Sequence, residues 1–145
     1  MQEPGFHARP LIGPLNAVLL AFPVALFPSA LISDVAYLQT SVVQWTNFSQ
    51  WLIAGAEFFA GLVLAWALVS RFFGRMKHAQ RRVTAYIIVV ALMFAGGMIN
   101  AFQHAKDGWA SVGTTGLILS IICTVLALAA AFLAHSTTSV REARP

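Results

Sequence analysis

Residues 99–109, INAFQHAKDGW, place Asn100, His104, Lys106, Asp107 and Trp109 in one short stretch. Asn100 and His104 are four apart and share a face if the segment is helical. An imidazole changes charge near neutral pH and can carry a proton or ligate a metal. Two acids elsewhere are candidates to work with it, Asp34 and Glu57. Glu57 interrupts the otherwise uncharged run NFSQWLIAGAEFFAGLVLAWALVS. An ionised carboxylate at the centre of a bilayer costs at least about 2.5 kcal/mol, so this acid is expected to be neutral or paired.

Three kinds of chemistry fit these residues. Glu57 is a candidate proton site, or a metal ligand together with Asp34 and His104. The alternative is structural: a polar chain Glu57–Asn100–His104–Asp34 that ties helix ends together, with Asp107 and Trp109 at its edge. The spacing matches no strong metal motif, which favours the hydrogen-bonded cluster. Asp107, followed by Gly108, is expected to cap the last helix, because an acid at a helix N-terminus accepts free backbone N–H groups and complements the dipole. His104 is placed at headgroup level and Trp109 in an interfacial belt.

The elements that must hold these residues are long apolar runs. Of 145 residues, 59% are hydrophobic and 10% charged, against the roughly 25% charged of ordinary soluble domains. Four segments are long enough to cross a hydrocarbon core of about 30 Å: about 11–34, 48–72, 83–104 and 109–135. The expected fold is an all-α, integral membrane four-helix bundle over residues 1–145, a single domain. Pro23 and Pro28 fall inside the first span and are expected to kink it. Ala17, Ala21, Ala25, Ser29 and Ser33 recur every four residues there, a stripe expected to face another helix. Gly116, Ser120 and Thr124 form a similar stripe on the fourth span, and Ala91, Ala95 and the Gly96–Gly97 pair lie on the third.

Charge sets the orientation. The net charge is +4, but Arg71, Arg75, Lys77, Arg81 and Arg82 crowd one connection without the aromatic interleaving of a nucleic-acid surface. Of the Lys and Arg residues only Lys106 lies at the opposite end, so both termini and the 71–82 connection are expected in the cytoplasm. The 35–47 and 104–113 connections then face the periplasm, with Trp45, Trp51 and Trp109 at the outer interface. The stretch MQEPGFHARP carries an acid, a His and two prolines before the first apolar run, and that run is too long for the core of a leader, so no cleavable leader is expected. Cys123 is the single cysteine, which excludes an intrachain disulfide and a cysteine-based zinc site.

Haem is a weak alternative. A membrane-spanning b-type cytochrome needs two axial ligands across one ring. His7, His78 and His135 fall at one end and His104 at the other, so no cofactor is the leading expectation, with haem b behind it. Signatures of a serine triad, a phosphate loop or a dinucleotide fold are absent.

The runs NAVLLAFPVALFPSALISDVAY, NFSQWLIAG and HAKDGW together resemble the bacterial membrane family catalogued as domain of unknown function 2231, over nearly the whole chain. The resemblance implies a four-helix inner-membrane protein. It rests on Phe22–Pro23, Asp34, Phe48–Ser49 with Trp51, and His104 with Asp107 and Trp109. Where many members carry two His-Pro pairs, this chain reads Gly13–Pro14 and Asn16–Ala17. The acid usual near Ser70 is missing, and the closing His-Gly motif is reduced to His135–Ser136. Fusion of some relatives to Rieske-type or cytochrome-like domains implies a link to electron transfer.

These readings converge on a non-catalytic inner-membrane protein, a structural or accessory subunit that packs against other membrane proteins or itself, with lipid and not nucleic acid as its surroundings. A redox subunit binding haem or contacting quinone is the second reading. A small proton-coupled transporter using Glu57 is the third.

Overall fold

A computed structural model describes residues 7–9, 11–73, 80–106, 108–136 and 138–140. The elements are β1 (His7–Arg9), α1 (Pro14–Thr40), α2 (Gln44–Phe72), α3 (Gln80–His104), α4 (Gly108–Ser111), α5 (Thr114–His135) and β2 (Thr138–Val140). α1, α2, α5 and the 81–104 stretch of α3 are each long and apolar enough to span a membrane. The chain is therefore an all-α membrane bundle, with two three-residue strands pairing antiparallel beside it, His7 opposite Val140.

α1 packs against α2 and α5, and α3 packs against the same two helices, so the four spans close into a ring with α1 and α3 on a diagonal. The start of α2 meets the end of α1, the start of α3 meets the start of α1, and the start of α5 meets the end of α3. The spans thus alternate in direction.

The interior combines small and polar residues with a few large ones such as Leu20, Phe27, Ile53 and Met93. Ala30, Ala56, Ala60, Ala67, Ala127, Ala130 and Ala134 are all fully buried. Large side chains such as Phe58, Phe102 and Phe132 point outward. Lipid tails are as apolar as leucine, so burying leucine yields little; close backbone approach and interhelical hydrogen bonds hold such bundles. Phe22 and Phe59 add a stacked pair between α1 and α2, their centroids 3.8 Å apart.

Several helix ends differ from the sequence expectation. α1 does not stop at Asp34 but runs six residues further, to Thr40. No Gly or Pro follows Asp34 within this stretch, and a buried acid with partners elsewhere does not end a helix. The helix stops where Ser41 adopts a left-handed backbone (φ 55°) and its N–H closes onto the Tyr37 carbonyl, a common C-terminal stop. The 35–47 connection accordingly shrinks to residues 41–43. The last span does not begin at Trp109. α4 is a separate single turn, and Gly113, with extended backbone (φ −111°, ψ −161°), precedes the start of α5 at Thr114. α1 is continuous through Pro23 and Pro28.

The stripe on α1 also differs from expectation. Ala21 and Ala25 are exposed, Ala17 and Ser29 half-buried, and of the five only Ser33 is buried. The inward face is instead Asn16, Leu20, Pro23, Phe27, Ala30, Ser33, Asp34 and Tyr37. A four-residue repeat does not say which of two adjacent helix faces turns inward; the polar Asn16 and Asp34 decided it, because they need partners.

Candidate functional site

The polar residues gather mainly at the end of the bundle where α1 and α3 finish. Asp34 is wholly buried, inside α1. Its Oδ1 accepts a hydrogen bond from the Ser49 hydroxyl of α2 at 2.5 Å and lies 3.0 Å from His104 Nε2 of α3. Its Oδ2 accepts from the Ser120 hydroxyl of α5 at 2.5 Å. One carboxyl group thus touches side chains from all three other spans.

The bonding pattern fixes hydrogen positions. His104 Nδ1 lies 3.0 Å from the Asn100 carbonyl oxygen, which can only accept, so Nδ1 carries a hydrogen. Nε2 faces Asp34, and one further proton lies between them: either the ring donates to a carboxylate, or a carboxylic acid donates to the ring. Both forms are neutral as a pair, which suits a site without water. Ser120 spends its only hydrogen on Asp34, so it accepts from Asn100 Nδ2 at 3.1 Å. That assigns the Asn100 amide and leaves its Oδ1 on the other edge, buried and without a partner.

The site is sealed. His104 is 1% exposed, its ring turned into the bundle. Gln103 donates to the carbonyls of Ala110 and Ser111, pinning the α4 turn across the helix end. Gly116 lies so close beneath that turn that a Cβ there would meet the Ser111 carbonyl oxygen at 2.8 Å and the His104 ring at 3.3 Å. Asp107 lies outside the described residues, as does the side chain of Trp109. α5 starts from Gly113 with no side-chain cap.

A second polar bridge closes the opposite end. The Tyr86 hydroxyl donates to Asn16 Oδ1 at 2.8 Å, both side chains being buried. This pair and Asp34–His104 both link α1 to α3 across the diagonal, and both join residues 70 apart in sequence. Within each helix the two positions are eighteen residues apart, about five turns and so the same face, roughly 27 Å along the axis. That separation is close to the thickness of a hydrocarbon core, about 30 Å.

Glu57 belongs to neither bridge. It is 7% exposed, near the middle of α2, and neither carboxyl oxygen has a hydrogen-bond partner. It is pressed against Gly97, where any Cβ would collide with Oε2 and would come within 2.9 Å of Phe27. Of the expected chain Glu57–Asn100–His104–Asp34, three members are joined and Glu57 is not. Ser49 and Ser120 complete the joined set, and the sequence reading did not name them as members. Serine in an apolar helix is the signal that would have found them. No group of three or more His, Cys, Asp or Glu residues placed to hold a metal exists among the described residues.

A family model described as predicted membrane protein (DUF2231) matches residues 13–139. No curated protein matches the chain. No solved structure matches it.

Proposed function

Because the chain belongs to this family of predicted membrane proteins, we propose that it is a non-catalytic accessory subunit whose α1 packs against a transmembrane helix of another membrane protein. The observation that carries this reading is the outward small-residue stripe: Ala21 and Ala25 exposed, with Ala17 and Ser29 beside them half-buried. Small residues gain little from lipid but let a second helix approach closely. The interior polar groups fit the same reading. Asp34, His104, Ser49 and Ser120 bond one another in a closed site, and both ring nitrogens of His104 are engaged. An imidazole so committed is poorly placed to ligate haem. Orientation with both termini in the cytoplasm of an inner membrane completes the proposal. It rests on the basic residues Arg71, Arg81 and Arg82 at one end and Lys106 at the other.

The test is co-purification from native membranes in mild detergent. Ala25→Leu is expected to remove a membrane partner at unchanged thermal stability of the chain itself. Ile32→Leu, at a lipid-facing position 68% exposed, is expected to keep the partner. Retention of every partner by Ala25→Leu refutes the reading. If the species lost is a second copy of this chain, the partner is the chain itself and the accessory role fails.

A further inference from the structure

Among the described residues Glu57 is the one acid that no hydrogen bond explains. Both of its oxygens are unpartnered although the residue is more than nine-tenths buried. Gly97 supplies the room it occupies, because any larger residue there would strike the carboxyl. One helical turn along the same face of α3, Asn100 Oδ1 is buried and likewise without a partner, its orientation fixed by Ser120. Thr124 Oγ1, one turn from Ser120 on α5, is unpartnered as well; of these four oxygens only the Thr124 hydroxyl and a protonated Glu57 carboxyl can carry a hydrogen, and the carboxyl alone can also release it to solution.

The surroundings point the site toward one end. From Asn100 the polar groups continue without a break through Ser120, Asp34 and His104. In the other direction the next polar pair, Tyr86 and Asn16, stands eleven residues from Gly97 along α3, about 16 Å. Fully buried Met93 and Val90 fill that interval on α3, with Val63 on α2. Few titratable groups surround Glu57. Phe27 of α1 and Gly97 of α3 cover it. Asp34 and His104 lie two turns further on those helices, already paired with each other. Cys123 of α5 lies beside Gly96, and α2 carries no other titratable residue before Arg71.

We propose that Glu57 is a proton-binding site in the membrane interior that exchanges its proton only with the Asp34–His104 end of the bundle. The apolar interval toward Tyr86 closes the other side. The chain on this view holds a proton from one compartment and conducts none across, which adds a binding site to the accessory role without depending on it.

Carbodiimide chemistry tests this, since the reagent enters from lipid and reacts with protonated carboxyl groups. The carboxyl hydrogen passes to one nitrogen of dicyclohexylcarbodiimide, the carboxyl oxygen bonds the central carbon, and transfer of the acyl group to nitrogen leaves a stable N-acylurea. The full chain is reconstituted in neutral-lipid vesicles, and a membrane-impermeant amine reagent reports which compartment faces Lys106. The adduct on Glu57, located by mass spectrometry, is expected at low pH. It should be lost as pH rises in the Lys106 compartment and unaffected by pH in the other. Added Na⁺ at constant pH should change nothing. Glu57→Gln should lose the adduct and keep its helical melting curve; the wild-type peptide map stands even if that variant misfolds. The proposal is overturned by an adduct indifferent to pH on both sides, by one that responds to the far compartment, by one that Na⁺ suppresses, or by the absence of any adduct on Glu57.

Discussion

Replacing Asp34 by alanine would remove the shared partner of three interhelical hydrogen bonds at once. The His104 contact is the strongest, because a proton shared between a carboxyl and an imidazole is charge-assisted, worth about 1.5–3 kcal/mol. Hydrogen bonds between membrane helices average about 0.6 kcal/mol, so the Ser49 and Ser120 bonds together add roughly 1 kcal/mol. Part of the serine loss is recovered, since the Ser49 hydroxyl already lies 3.3 Å from the Ala30 carbonyl and can turn to it. The expected loss is about 3 kcal/mol. Asp34→Asn should differ sharply. One amide hydrogen can meet His104 Nε2 and the other the Ser49 oxygen, while the amide oxygen takes the Ser120 hydrogen. Every group keeps a partner and no charge is stranded, so the loss should stay near 1 kcal/mol or below. Unfolding in mixed detergent–SDS micelles, followed by circular dichroism, measures both variants. A double-mutant cycle with His104→Ala should return most of the coupling. If Asn proves as harmful as Ala, bond count is not what holds the helices and the carboxylate charge has another task. If Ala costs under about 0.5 kcal/mol, the four-helix junction does not stabilise the bundle.

Two further outcomes are expected. Gly116→Ala should lower the melting temperature, because its methyl group meets the Ser111 carbonyl and the His104 ring, an overpacking cost of about 1–3 kcal/mol; Gly113→Ala, with open space around it and negative φ, should not. A reporter enzyme active only in the periplasm should be inactive when fused to the C-terminus and active when inserted at residue 42, and the reverse pattern refutes the proposed orientation.

The membrane class, the family and the four spans were legible in the sequence, because lipid imposes them through composition and length alone: a run of about twenty apolar residues satisfies its backbone only as a helix. The polar residues were legible as a list for the same reason. Asp34, Glu57, Asn100 and His104 stand out where almost everything else is apolar. Their pairing was decided only in three dimensions. Asp34 read as a helix end because charge usually marks one, whereas α1 continues to Thr40 and carries the acid inward to Ser49, Ser120 and His104. The 70-residue register that joins Asn16 to Tyr86 and Asp34 to His104 depends on helix and connection lengths between α1 and α3, such as the three residues 41–43, which periodicity does not report. The stripe of alanines on α1 was visible as a stripe, but not as an outward one, because a small residue suits a neighbour in the same chain and one in another equally well. Glu57 was legible as costly. That it lies beside Gly97 with no partner is a fact of packing, since a single sequence does not say which glycine faces which acid.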